Sequence, residues 1–154
     1  MELSYAAICF DLFGTLVSDE GDAIPGARET LASLGASRWA IVTSAPRAAA
    51  MGLLARARLV LPPVLVTADD VARGKPAPDP YALAAKRLAI EPARALVIED
   101  SWSGVESAHA AGMETVFILR GRPASSCARA DYYVDRFDQL GVATGAGGAL
   151  LVAF

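Results

Sequence analysis

Four short segments of the 154-residue chain carry the side chains best suited to chemistry. The first, Cys9-Phe10-Asp11-Leu12-Phe13-Gly14-Thr15-Leu16, sets a carboxylate directly after an apolar run and follows it with glycine and threonine. That order puts a nucleophilic oxygen beside backbone N–H groups able to hold an anion. The others are Thr43-Ser44, Gly74-Lys75-Pro76 and Glu99-Asp100-Ser101. Taken singly, each has a plainer reading. A strand-ending Asp caps a turn, a Thr-Ser pair makes one, a lysine between glycine and proline is a solvated loop residue, and Glu-Asp-Ser caps a helix. Their joint occurrence, each in a loop that follows a segment of strand character, outweighs those readings.

The elements that must position them follow from the hydrophobic pattern. Apolar runs of strand length alternate with stretches of helical periodicity, which predicts an α/β fold: one Rossmann-like domain with a mostly parallel sheet of five or six strands flanked by helices. Strands are expected at 6–10, 39–43, 64–66, 96–98 and 115–119, with a short sixth at 132–134. Helices are expected at 27–34, 47–57, 80–88 and 104–111. Asp79 before Pro80 reads as an N-cap with a first-turn proline, Gly35 and Gly112 as helix stops, and Ser101 or Ser103 as a cap. Residues 141–154, glycine- and alanine-rich with an apolar finish, read as coil or a short added strand. Ligands of such sheets bind at the carboxyl ends of the strands, so the loops 11–16, 43–46, 67–78 and 99–104 should build one site.

Composition narrows the function. Hydrophobic residues make up 54% of the chain and charged residues 20%, with mean hydropathy +0.37, enough for one compact core. The net charge of −3, with lysine and arginine scattered, lacks the basic stripe of a nucleic-acid binder. No apolar run reaches the ~20 residues of a membrane helix, and the start of the chain lacks the pattern of a signal peptide, so a cytoplasmic protein is expected. Cys9 and Cys127 stand alone and read as structural thiols. His109, the one histidine, falls in a predicted helix and reads as a core or surface residue, and Trp39 and Trp102 read as packing residues, Trp102 bordering the cleft.

Residues 10–16, Thr43-Ser44, Gly74-Lys75-Pro76 and Glu99-Asp100-Ser101 with Gly104 resemble, in order and spacing, the four motifs of the haloacid dehalogenase superfamily. The runs 66–71, 74–81, 98–105 and 110–113 resemble its sugar-phosphate phosphatase and β-phosphoglucomutase-like branch. The resemblance spans residues 6 to about 119. It implies that Asp11 attacks phosphorus and becomes a transient aspartyl phosphate. It implies a Mg²⁺ ion held by Asp11, Glu99, Asp100 and the main-chain carbonyl of Phe13, because three carboxylates need a counter-charge beside a phosphate. Lys75 would neutralise the nucleophile and a phosphoryl oxygen, and Thr43, Ser44 and the backbone of Leu12 and Phe13 would hold the phosphoryl group. Thr15 and Ser101 would support the loops.

Two positions depart from that pattern. Phosphatases of the superfamily carry a second Asp two residues after the nucleophile to protonate the leaving oxygen, and here that residue is Phe13. General acid–base catalysis is worth roughly 10²- to 10⁴-fold, so turnover should be weakened, least for aryl or acyl phosphates. An aromatic residue there also resembles the 2-haloacid dehalogenases, whose Asp attacks carbon, and a weakened phosphate- or protein-binding domain is a third reading. The second departure is the cap domain of this branch, reduced here to a loop at 17–24 in a single domain spanning 1–154. Eight residues cannot form a cap, which leaves an open site with a phosphorylated substrate of unstated size, or one covered by a homo-oligomer.

Overall fold

The computed structural model describes residues 1–154. Nine strands and four α-helices run in the order β1 (Glu2–Tyr5), β2 (Ala7–Phe10), α1 (Ala27–Leu34), β3 (Trp39–Val42), α2 (Arg47–Ala57), β4 (Val64–Val66), α3 (Asp79–Leu88), β5 (Ala95–Glu99), α4 (Trp102–Ala110), β6 (Glu114–Ile118), β7 (Tyr132–Val134), β8 (Gly141–Thr144) and β9 (Leu150–Ala153). Six strands form one wholly parallel sheet in the order β4-β3-β2-β5-β6-β7. The chain steps outward from β2 through β3 to β4, then crosses back to β5 on the other side of β2. Strand order therefore reverses between β2 and β5, and the crevice at their carboxyl ends is where such sheets take ligands.

The two faces of this sheet differ in side-chain size. Ile8, Phe10, Trp39, Ile41, Leu96 and Ile98 project to one face and pack with Leu31 of α1, Leu54 of α2 and Phe137. The alternate residues Ala7, Cys9, Ala40, Val42, Ala95 and Val97 face α3 and α4 through Tyr81, Ala84, Ala85 and Ala108. Strands buried on both faces read as continuous apolar runs, and the small side chains on the second face let two alanine-rich helices approach closely. Trp39 is buried edge-on to Phe10 at 6.2 Å, the packing role expected of it.

The last fourteen residues are more than one short strand. β8 and β9 form an antiparallel pair, and β9 also pairs with β1, making a separate three-stranded sheet from the two ends of the chain. Leu150 and Val152 of β9 are fully buried against the large-residue face. Asp79 differs from its expected role. Pro78 holds the N-cap position with no side-chain bond, and Asp79, inside the helix, pairs with Arg73 at 3.0 Å. A proline at N1 makes capping by the preceding residue the usual arrangement, but Pro78 already has helical backbone angles and moves the helix start forward by one residue. Trp102 departs further from expectation. It starts α4 on the solvent side with 55% of its surface exposed, so it is not a core packing residue. His109 is tied to Asp131 at 2.9 Å, and Thr115 joins the same group, a local support beside β6. Cys9 and Cys127 are buried free thiols.

Candidate active site

β2 ends at Phe10, and Asp11 follows with its N–H donating to the Ile98 carbonyl of β5 at 3.0 Å, so the carboxylate leaves the sheet beside its neighbouring strand. The next residues turn back tightly. The amides of Leu16 and Val17 both donate to the Leu12 carbonyl, and Gly14 adopts φ +86°, a region that strongly favours glycine. A Cβ on Gly14 would lie 2.2 Å from Asp100 Oδ2, so glycine is also what lets the Asp100 carboxylate approach this loop. The N–H groups of Leu12 and Phe13 make no hydrogen bond within the chain, and neither does the Phe13 carbonyl. Leu12 itself is fully buried and can offer only its backbone.

Lys75 comes from the loop after β4 and reaches the centre of the crevice. Its Nζ donates to Asp11 Oδ1 at 2.8 Å, Glu99 Oε1 at 2.6 Å and the Val42 carbonyl at 3.1 Å, which uses all three of its protons. Its side chain is only 4% exposed. Burial alone would lower its pKa, but the two carboxylates more than offset this and raise it, so the ammonium stays charged. Glu99 is completely buried, and both its oxygens are engaged. Oε1 accepts from Lys75 and from the Tyr81 hydroxyl at 2.7 Å, and Oε2 accepts from the amides of Asp100 and Ser101 and from the Ser101 hydroxyl. Ser101 also caps α4 by accepting from the Gly104 amide at 3.1 Å. Thr15 donates to Asp11 Oδ2 at 3.3 Å.

Around this centre, Asp11, Phe13, Thr43, Ser44, Lys75, Asp100 and Ser101 line one depression of about 230 Å³ with Leu53 and Ser103. Thr43 is buried and Ser44 exposed, and the Ser44 amide makes no hydrogen bond within the chain. The amide of Ala45 donates to Thr43 Oγ1, leaving the hydroxyl proton free to point inward. Half of Phe13's surface is exposed at the rim. The expected residues thus converge, with Glu99 behind the wall and Leu12 and Thr15 beneath the loop.

Asp11, Glu99 and Asp100 bring ligand oxygens within 4.8 Å of one another. Burial, with the Asp100 charge added to it, pushes Asp11 up to about 6 despite Lys75. Burial likewise raises Glu99 and Asp100. Three carboxylates facing Lys75 and one arginine, Arg120, leave one negative charge uncompensated, and a free carbonyl at Phe13 adds a further oxygen. This all-oxygen donor set fits a hard divalent cation.

Three contributors were not legible in the sequence. Tyr81, in the first turn of α3, bonds Glu99 and places its ring 5.1 Å from Lys75 Nζ. Arg120 pairs with Asp100 at 3.2 Å, and Arg122 donates to the Asp100 carbonyl at 2.7 Å. Only the position of Tyr81 six residues after Lys75 hinted at its part. The arginines follow β6, where no motif marks them.

A doubly wound parallel sheet with an acidic crevice at its switch point, unbonded loop amides and a buried lysine define a Rossmann-type core with an oxygen-lined ligand site. The chain belongs to the haloacid dehalogenase-like hydrolases, whose family model matches residues 17–112. It is 40% identical over 111 residues to validoxylamine A 7'-phosphate phosphatase of Streptomyces hygroscopicus subsp. limoneus, covering 70% of this chain and 52% of that protein. Hexitol phosphatase A of Escherichia coli K12 is 34% identical over 132 residues, 84% of this chain and 61% of that one. The chain therefore spans about half to three-fifths of the length of these relatives. Among solved structures, a HAD family hydrolase from Deinococcus radiodurans R1, crystallised with bound phosphate and sodium, superposes with TM-score 0.79 at 25% identity, covering 87% of this chain and 92% of that one. No helix is long and apolar enough to cross a membrane.

Proposed function

We propose that the chain is a Mg²⁺-dependent phosphatase-like hydrolase that cleaves phosphate monoesters through an aspartyl-phosphate intermediate formed on Asp11. The observation that carries this reading is the single pocket in which the Asp11 carboxylate and the Lys75 ammonium meet Phe13 and Ser44, whose amides are unbonded within the chain. A phosphoryl group entering there meets backbone donors on two sides and the free Thr43 hydroxyl proton, the pattern that stabilises charge on transferring oxygens. Lys75 fixes one Asp11 oxygen and Thr15 touches the other, so the nucleophile is oriented before substrate arrives. The bound cation would be held by Asp11, Asp100 and the Phe13 carbonyl; Glu99, expected as a further ligand, has both oxygens engaged by Lys75, Tyr81, Asp100 and Ser101 and would support from behind, and the cation would offset negative charge between nucleophile and phosphate.

In the first step an Asp11 oxygen bonds to phosphorus while the ester oxygen departs with the bonding pair. In the second, a water oxygen bonds to phosphorus as the bond between Asp11 and phosphorus breaks, releasing phosphate and restoring the carboxylate, while the water proton passes to solvent and so replaces the one taken up by the departed alkoxide. Phe13 can neither donate nor accept a proton, so an alkoxide leaves unaided, and a phenolate or carboxylate leaving group is favoured. The names of the two phosphatase relatives support a phosphomonoester substrate, and the exposed crevice supports one that needs no enclosure.

The test is a metal-dependent screen of phosphate esters ranked by leaving-group acidity, with Asp11→Asn as control. Phosphate release that requires Mg²⁺, vanishes in the control and steepens with leaving-group acidity supports the reading. Chelator-insensitive chloride release from 2-chloropropionate would replace it with carbon-centred chemistry. Phe13→Asp should raise turnover of alkyl phosphates by roughly 10²-fold or more and flatten the dependence on leaving group; an unchanged slope would show that position 13 takes no part in proton transfer.

A further inference from the structure

The largest concavity of the molecule, about 840 Å³, lies at the opposite end of the strands from Asp11, between the parallel sheet and the β1-β9-β8 sheet. Its volume is in the range of small-molecule sites. Arg38 and Arg94 both line it. The carbonyls of these two residues accept from the amides of Ile8 and Ala6, so they flank the entry of β2 on either side. Two strand spacings place their backbones about 10 Å apart, close enough for two long side chains to converge.

The charges in this cleft are not balanced from within. Of the fourteen lysine and arginine side chains, only Arg38, Arg58, Lys86 and Arg94 make no hydrogen bond or ion pair, and two of these four share the cleft. Glu114 is the one acid on its wall, with one of its two oxygens accepting from the Tyr5 hydroxyl, so two arginines stand against a single carboxylate. Residues 146–149 of the turn Gly145–Ala149 line the same cleft, and the turn is closed by the Gly145 amide donating to the Ala149 carbonyl. Within it Gly147 and Gly148 have φ of +65° and +79°, and their amides make no hydrogen bond within the chain. Successive free amides in a glycine turn that lines one cleft with two unpaired arginines supply the donors an anion needs, and arginine forks match phosphoryl oxygens bidentately.

We infer that this cleft binds a ligand carrying a pyrophosphoryl group, free or attached to a nucleoside. One phosphoryl group meets each arginine, and the glycine loop amides close over the bridging region. Tyr132, also on the wall, is placed to meet a base or sugar if one is attached. This site is independent of the hydrolytic reading, since it shares no residue with the crevice at Asp11.

The experiment is a titration of the ¹⁵N-labelled full chain with inorganic pyrophosphate, in chelator and at constant ionic strength, followed by amide shifts. Saturable shifts at Arg38, Arg94, Gly147 and Gly148 are expected, with a dissociation constant below about 1 mM. The double variant Arg38→Ala/Arg94→Ala should weaken binding at least tenfold, and Arg38→Lys/Arg94→Lys should recover part of it. Both side chains are exposed and unbonded, so the variants should keep the wild-type spectrum elsewhere. Tighter binding of ADP, with shifts extending to Tyr132, would assign the nucleoside-linked form, and tighter binding of pyrophosphate the free one. Shifts confined to Leu12, Phe13 and Ser44, equal affinity in the alanine double variant, or no saturation would overturn the proposal.

Discussion

At the scale of single residues the crevice is overcharged, and that excess sets its response to pH. Asp11 is held up to about 6 by burial and by Asp100, against an ordinary aspartate value of about 3.9. Between those values the folded chain binds more protons than the unfolded one. The metal-free protein should therefore gain stability as pH falls through that window, and carry the full burden of the ionised cluster above about 6. A cation needs the same carboxylates deprotonated. The rise in Tm produced by Mg²⁺ should accordingly be largest above pH 7 and fade as pH drops through about 6; a shift of equal size at pH 5 and pH 8 would show that Asp11 does not take part in metal binding. The convergence of Asp11, Thr43, Lys75 and Glu99-Asp100 was legible in the sequence because each sits at or beyond the carboxyl end of a strand, Glu99 closing β5 and Lys75 lying nine residues past β4. Tyr81 was not, since a tyrosine in an amphipathic helix looks like any other core residue until the buried carboxylate it serves is placed.

At the scale of elements, two short features decide where the acids point. Gly104 in α4 leaves no room for a side chain: a Cβ there would fall 1.8 Å from Glu99 Oε1. Gly104→Ala should displace Glu99, loosen Lys75 from one of its two carboxylates and destabilise the fold by a few kcal/mol, about what breaking a buried ion pair costs; chemical denaturation measures it, and a loss of under about 0.5 kcal/mol would mean the carboxylate relaxes freely. The second feature is the turn after β6. Arg120 adopts φ +53°, unusual for a side chain with a Cβ, while its N–H donates to the Asp135 carbonyl and the Gly121 N–H to Asp135 Oδ1. That conformation brings the guanidinium of Arg120 to Asp100, with Arg122 bonding the Asp100 carbonyl. Arg120 would thus compete with the proposed cation for the Asp100 charge. Arg120→Gln should bind Mg²⁺ a few-fold to about tenfold more tightly by calorimetry, whereas weaker binding would make Arg120 a support for the site and not a competitor. No sequence signal foretold this turn, because its partners lie fifteen and twenty residues away.

At the scale of the whole molecule, the parallel sheet could be read from pattern alone and the second sheet could not. Strands buried on both faces make unmistakable apolar runs, and β2 to β7 fell within a residue or two of expectation. β1 and β9 pair across nearly the whole chain, from Glu2 to Ala153, and β8 is built on Gly141 and mostly exposed residues, so the composition of 141–154 suggested at most one added strand and nothing marked its pairing with the start of the chain. Their contribution is to close the large-residue face that α1 and α2 leave partly open. The loop at 17–24 is equally compact: Val17 bridges both Phe13 and Ala23, and the Ser18 amide donates to the Asp22 carbonyl at 2.8 Å.

That small hairpin turns the hydrolase core into a socket. Because Val17 and Ala23 already stand side by side, a folded module spliced between Ser18 and Asp22 would leave from and return to almost the same point, without pulling on Asp11. Grafting the corresponding helical segment of a longer relative at this junction should leave the thermal midpoint of the core within a few degrees of the parent while narrowing the range of esters it accepts. A graft that unfolds the sheet would mean that the junction is part of the framework and cannot serve as its port.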